Sequence, residues 1–269
     1  MPELKLDAYY IKQKESLENV FREHDIYLLA KNDGDFEWRG ALHEYLQMKS
    51  KKSIGFISSI KNKYNADGNR SKDTNKIKKD IDLLKGAIAR NEEAPRALFY
   101  LGRTYWSIKA YASTIKCFEK RVSFGGDPLE VYHSLLYIGI SQRKLNYPTE
   151  DFIKSLCRAH LYRPSRAESI YELTRYYTDT ENYFLGYTTA KIAIEIPLPP
   201  DNLFVESWIY DWGALLYFFI CSNQIGEKKE AFEALTKLLS KKDLPEGIRQ
   251  SFQLDKHLAI FNQTHAYCE

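Results

Sequence analysis

Pro95-Arg-Ala-Leu-Phe-Tyr-Leu-Gly-Arg-Thr-Tyr-Trp106 is the stretch on which the reading of this chain turns. Leu98, Leu101, Gly102 and Tyr105 recur at the three- and four-residue steps that place side chains on one face of an α-helix. After a short break at Lys109-Ala110 the spacing resumes through Tyr111, Thr114, Ile115 and Phe118, which predicts a second helix folded back on the first. Gly102 has a physical role in such a hairpin. Lacking a side chain, it lets the two backbones approach where any other residue would hold them apart.

The pattern returns twice downstream. Leu135, Ile138 and Gly139 lead to Asp151, Phe152, Ala159 and Pro164; Ile170, Leu173 and Tyr177 lead to Gly186, Tyr187, Ala190, Ala193 and Pro197. A repeat of roughly 34 to 37 residues is near the tetratricopeptide period. Pro164 and Pro197 stand where a second helix must stop, because proline cannot continue the hydrogen-bond ladder. Residues 208–222, the turn at Gly226, and Ala231, Leu235 and Leu238 read as a fourth, degenerate hairpin. Ile248, Phe252 and Leu258 suggest a last helix that covers the open apolar end of the stack. Ahead of Pro95, Ile77, Ile81, Leu84 and Ile88 form one amphipathic helix, an N-terminal half-repeat. The expected fold is therefore all-α: a tetratricopeptide-type α-solenoid of three to four helical hairpins with a C-terminal capping helix, over residues 76–269.

Composition narrows the function classes. A formal charge of +3 does not by itself imply a nucleic-acid partner, which needs a clustered basic face. The longest apolar run, residues 213–221, falls well short of the ~20 residues that span a bilayer. The start, Met1-Pro-Glu-Leu-Lys, lacks the hydrophobic region of a secretory signal, so a cytoplasmic location is expected. Cys117, Cys157, Cys221 and Cys268 are scattered without a C-x-x-C pair and read as reduced thiols, mostly buried in helices. The phosphate-cradling, zinc-protease and serine-hydrolase motifs are absent from the sequence. His24, His133, His160, His257 and His265 share no spacing that pairs two of them with carboxylates, so they read as structural or surface residues.

Two sets of residues carry a resemblance. Residues 95–106, Arg163-Pro-Ser-Arg-Ala-Glu168, Tyr171-Glu-Leu-Thr-Arg-Tyr-Tyr177, Phe204-Val-Glu-Ser and Tyr210-Asp-Trp212 resemble the C-terminal repeat region attached to some bacterial family 2 glycosyltransferases. Phe36-Glu-Trp-Arg-Gly-Ala-Leu-His-Glu-Tyr-Leu46 is similar to the W-x-G-x-x-H-E segment that closes their GT-A catalytic domain. The resemblance implies that His43 would lie beside a nucleotide-sugar diphosphate and its divalent metal, with Trp38 and Glu44 lining the sugar or acceptor pocket. A metal suits that chemistry because the departing diphosphate develops negative charge. Only 37 residues precede Trp38, however, and a GT-A domain first builds a long nucleotide-binding sheet with a D-x-D metal motif. Asp33-Gly-Asp35 spells that motif, but almost against Trp38, and Asp-Gly is first a turn signal. The expected organisation is a truncated glycosyltransferase-like remnant over 1–54, a basic polar linker over 55–75 and the repeats over 76–269. No catalytic residue, metal or cofactor is assigned to this chain alone. Divalent metal and nucleotide-sugar enter only if a separate chain supplies the nucleotide-binding half.

The first helix of each tetratricopeptide hairpin lines the inner face of the stack. Residues there include Arg96, Phe99, Arg103 and Trp106, then His133, Leu136, Arg143 and Lys144, then Tyr171 and Arg175. Cations interleaved with aromatic plates suit an extended peptide with acidic groups, or a glycan stacked on the rings. The other reading is that Phe99 and Trp106 pack against the neighbouring repeat and the arginines solubilise. The places where chaperone-binding members of this repeat class hold a terminal carboxylate correspond to Phe99, Arg103, Tyr137, Glu168 and Glu172, with one cation among them, so that ligand is not expected. Lys49 to Lys85 is the most basic stretch and reads as a phosphate contact or as a solvated linker. The sum is an interaction scaffold that is not catalytic alone, with a protein or peptide partner; the rival is one part of a metal-dependent glycosyltransferase.

Overall fold

The computed structural model describes residues 5–17, 20–64 and 75–253. It divides into two units, Met1–Ser134 and Leu135–Glu269.

In the first unit, β1 (Ala8–Leu17) and β2 (Val20–Ala30) pair antiparallel. β3 (Phe36–Arg39) and β4 (Tyr45–Met48) make a separate two-stranded ribbon with Trp38 opposite Leu46. β5 (Ile54–Tyr64) then runs parallel to β1, giving a three-stranded sheet in the order β2-β1-β5. Ala8 is buried in this sheet, as are the partnered Ile11 and Ile57. Residues 55–64, which read as the start of a linker, thus belong to a sheet strand: Lys49, Lys51 and Lys52 ahead of it and Lys61 and Lys63 near its end draw attention from the apolar positions Phe56, Ile57 and Ile60. Residues 65–74 of the expected polar loop lie outside the described residues, as do His257, Leu258, His265 and Cys268.

The helices follow the periodicity of the sequence. In the first unit α1 (Lys76–Ala89) precedes the hairpin of α2 (Ala94–Ser107) and α3 (Tyr111–Ser123). α4 (Pro128–Lys144) begins behind Asp127, whose carboxylate accepts from the backbone N–H of Leu129 at 2.8 Å and of Glu130 at 3.0 Å. That is the N-cap arrangement that satisfies the free donors of a first turn. A Cβ added at Gly102 would stand 2.6 Å from the ring of Phe118, so the close approach read from the sequence is real.

The second unit holds the rest of α4, then α5 (Thr149–Tyr162), α6 (Glu168–Asp179) and α7 (Tyr183–Glu195). A π-helical turn at Ile209–Gly213 opens into α8 (Ala214–Gln224), followed by α9 (Lys228–Ser240) and α10 (Glu246–Gln253). A Cβ at Gly139 would meet Leu156 at 2.8 Å, and one at Gly186 would meet the Cys221 sulfur at 2.7 Å. α10 is the expected cap. Phe252 sets its ring edge-on to Phe219 at 5.1 Å, and Arg249 donates to the Lys241 carbonyl at 2.6 Å.

Five helices end on one device. After α1, α2, α4, α6 and α8 a residue with positive φ, respectively Asn91, Lys109, Asn146, Glu181 and Gly226, turns the chain. The next N–H reaches back five residues to a carbonyl: Glu92 to Ala87, Ala110 to Tyr105, Tyr147 to Gln142, Asn182 to Tyr177, and Glu227 to Ser222, all at 2.8–3.0 Å. This is the Schellman closure, which uses up carbonyls that a helix end leaves without partners. Among the described residues no helix is long and apolar enough to cross a membrane.

Candidate functional site

The residues expected to line a binding face separate by burial. On α2, Phe99 is fully buried, its ring 6.2 Å from Phe118 and 5.3 Å from His133, which is itself buried. Trp106 is half-buried and lies tilted on Tyr111 at 5.0 Å. Phe99 and His133 therefore belong to the helix packing, while Arg96, Arg103 and Trp106 keep part of their surface. Arg103 Nη1 lies 2.9 Å from His133 Nε2.

Arg96 is the most connected of these groups. Its Nη1 donates to Glu130 at 3.3 Å and its Nη2 to the backbone carbonyl of His43 at 3.0 Å. The guanidinium carbon stands 4.5 Å from the centre of the Tyr45 ring and 4.9 Å from that of Tyr100. Glu130 is the buried pivot, for Arg121, only 1% exposed, also donates to it, at 2.9 Å. Burial raises the Glu130 carboxyl above its ordinary range, against the pull of Arg121 and Arg96.

Residues 36–46, singled out in the sequence, include two groups on this face, His43 and Tyr45. Trp38 on β3 is 61% exposed, and His43 lies in the β3–β4 turn with φ 56°. The His43 ring stacks on Tyr100 with centroids 4.3 Å apart and planes 20° off parallel. The residue stays exposed overall, and loss of water on the stacked side of the ring, with the charges of Arg103 and Arg96, pushes its pKa down to about 4. The imidazole is neutral at pH 7, and the two guanidinium groups oppose a divalent cation there. Glu44 is exposed. Asp33 and Asp35 both pair with Lys52, and the Asp35 N–H donates to Asp33 at 3.0 Å, a local turn closed by a lysine. No group of three His, Cys, Asp or Glu side chains among the described residues is placed to hold a metal ion.

In the second unit, Glu172 sits between two arginines. Arg175 donates to it at 2.9 Å and Arg143 stands at 3.8 Å, with the other arm of Arg143 on Asp179 at 2.6 Å. Arg143 also lies 5.4 Å over the Tyr176 ring, and Lys144 beside it is exposed. Burial lifts the Glu172 carboxyl, the charges of Arg175 and Arg143 oppose this, and Glu206 adds to the rise. Tyr171 is buried, edge-on to Trp208 at 5.3 Å and to Tyr217 at 5.5 Å, so it supports this strip from within.

A second buried network is one that sequence reading left without a role. Arg166, 1% exposed, donates to Glu168 at 2.7 Å, to Asp201 at 3.3 Å, and to the carbonyls of Leu203 and Phe204 at 3.3 and 3.1 Å. Glu168 also accepts from the Tyr210 hydroxyl at 2.8 Å and the Glu206 N–H at 3.3 Å. Arg163 pairs with Asp201 as well. The segment between α7 and the π-helical turn is thereby tied to the start of α6. Arg163, Arg166, Glu168, Phe204, Glu206 and Tyr210 stand in three of the resembling stretches; their convergence on Asp201, which stands in none, was not visible, because Asp201 is 35 residues from Arg166. A separate cleft of about 610 Å³ lies between His160 and Pro164, at the end of α5, and Tyr187, Lys191, Ile192 and Ile196 along α7 and just beyond it.

No family model matches the sequence, and no curated protein is similar to it. Among solved structures, a crystal structure of MamA matches with a TM-score of 0.50 at 18% identity, covering 67% of this chain and 96% of that one. YrrB, described as a TPR protein with an unusual peptide-binding site, aligns over 67% of this chain and 85% of its own at 15% identity, TM-score 0.46. A thermophilic TPR protein of Thermus thermophilus, TTC0263, aligns over 66% of this chain and 89% of its own at 15% identity, TM-score 0.45. The fold of residues 76–253 is of the tetratricopeptide type.

Proposed function

We propose that the chain is a peptide-binding interaction scaffold, with the partner lying along the first helices of the second unit's hairpins. The observation behind this is the strip of Arg143, Lys144 and Arg175. Glu172 fixes both guanidinium groups in direction, and a guanidinium has five N–H donors, more than Glu172 and Asp179 take up. Donors held in place beforehand lose little freedom when a ligand arrives. An extended peptide carrying a carboxylate fits, with its acid at Lys144 and Arg175. The Tyr176 ring beside Arg143 gives the same strip a plate for a glycan, the alternative ligand. A cytoplasmic location belongs to this reading.

A pull-down with the wild-type chain and with the Arg143→Ala, Lys144→Ala, Arg175→Ala triple variant tests it. The variant is expected to lose the partners that the wild type retains, and acidic peptides to compete for them. An unchanged set of partners would overturn the reading, and competition by oligosaccharides alone would replace the peptide with a glycan.

Descent from a glycosyltransferase is part of the proposal and is supported by the likeness of residues 36–46. On this reading His43, beside Arg96 and Arg103, no longer receives a metal, and the chain transfers no sugar by itself. Manganese-dependent turnover of any nucleotide-sugar by this chain alone would favour the rival, a working transferase.

A further inference from the structure

In the first unit the turn over residues 40–45 packs on α2. Leu42 is its buried anchor, the His43 ring is stacked on Tyr100, and the His43 carbonyl accepts from Arg96 at 3.0 Å. Two residues further on, the Tyr45 ring covers the Arg96 guanidinium, and its hydroxyl donates to Glu93 at 3.0 Å. Each contact uses a distinct chemistry, so together they specify a sequence: an aromatic or imidazole ring, one spacer and a tyrosine, presented on a turn.

One observation sets this contact apart from ordinary packing: the seam leaves polar capacity over. Arg96 Nε and Glu93 Oε2 are buried with no hydrogen-bond partner among the described residues. A buried donor and a buried acceptor without partners are unfavourable, and a better-fitted ligand would satisfy both. The surface is matched to more than its own turn provides.

We propose that the face of α2 between Glu93 and Tyr100 is a recognition surface for a peptide turn bearing a ring-x-Tyr motif, and that the chain's own 40–45 turn occupies it in competition with partners. The outside ligand it fits adds one carbonyl for Arg96 Nε and one N–H for Glu93 Oε2. This surface is distinct from the strip of Arg143, Lys144 and Arg175, and neither reading depends on the other.

The test uses the full chain and an N-acetylated, C-amidated peptide of residues 36–48 in calorimetric titration. A His43→Ala, Tyr45→Ala variant disarms the internal turn. It is expected to bind the peptide about tenfold or more tightly than the wild type does, because self-occupancy lowers apparent affinity by the fraction of molecules left open. Adding Arg96→Met to that variant should abolish the gain. Equal affinity of the wild type and the disarmed variant, or no binding to a folded disarmed variant, would overturn the proposal. Should the disarmed variant fail to fold, amide exchange in the Arg96→Met single variant decides. Exchange over residues 40–48 should quicken about tenfold or more while α6 is unaffected, as expected when a docked segment opens independently of the remainder. Unchanged exchange over 40–48 would reject it.

Discussion

Arg166 and Glu168 face each other at 2.7 Å with side chains only 1% and 3% exposed, and between them they hold the backbone of residues 203–206. A pair removed from water to this degree stabilises only while complete. Arg166→Ala takes the guanidinium away from the buried Glu168 carboxylate, which keeps the Tyr210 hydroxyl and the Glu206 N–H, and from the carbonyls of Leu203 and Phe204, and a loss of about 3–5 kcal/mol is expected. Urea unfolding measures it, with a fall in the midpoint at unchanged slope. A loss under about 1 kcal/mol would mean that water replaces the guanidinium without penalty.

Gly102 offers a sharper contrast. Gly102→Ala brings a methyl to 2.6 Å from Phe118 and should cost about 1–3 kcal/mol, part of which Phe118→Leu restores in the double variant. Gly247→Ala, on α10 with no atom within 4 Å of the new methyl, should instead stabilise by about 0.5–1 kcal/mol. Thermal melts of the three variants settle whether the glycine at the hairpin seam is there for space.

His43 makes docking of the 40–45 turn dependent on pH. Its pKa falls from 6.5 in the free chain to about 4 when docked, through partial desolvation of the stacked ring of a residue that stays exposed overall and through the charges of Arg103 and Arg96, against the weaker opposing charges of Asp80 and Glu44. The undocked state therefore binds more protons between those values, so docking strength is fully present above pH 6.5 and is lost as pH falls through about 4. Amide exchange of residues 40–48 from pH 7 to pH 4, corrected for intrinsic rates, should show progressive opening that His43→Phe abolishes.

The thiols should be slow to react. Burial pushes Cys117 up to about 11 and raises Cys157 and Cys221 as well, so little thiolate forms at pH 8. Iodoacetamide at pH 8 should modify these three slowly in the native chain and rapidly in denaturant, as followed by peptide mass spectrometry. Fast native labelling of Cys221, whose sulfur packs against Gly186 and Thr178, would show that α8 opens readily.

The hairpins are legible in the sequence because leucine and glycine spacing is a local signal, and Gly102, Gly139 and Gly186 all stand where a Cβ would run into a neighbouring side chain. Burial of particular ring-bearing residues is less so. Phe99, His133 and Tyr171 share a helix face with Arg96, Arg143 and Arg175, and a small rotation of each helix decides which group meets solvent. The buried arginines were not legible. A cation's partner is set by chain return, and Arg121 finds Glu130 while Arg166 finds Glu168 and Asp201 only once the loops are placed. β5 was missed because the lysines just ahead of it and near its end, Lys51, Lys52, Lys61 and Lys63, outweigh a short apolar alternation.

The five matching helix closures at Asn91, Lys109, Asn146, Glu181 and Gly226 make the chain modular at its joints. Each joint is closed by its own backbone, so what it requires of a side chain is tolerance of one left-handed residue. The joints themselves thus place little demand on sequence, and what ties one helix to its neighbour is the packing between them, such as Gly102 on Phe118 and Gly139 on Leu156. The protein is in this sense a kit whose connectors are already standard, and variation of the surfaces between them leaves the connectors untouched.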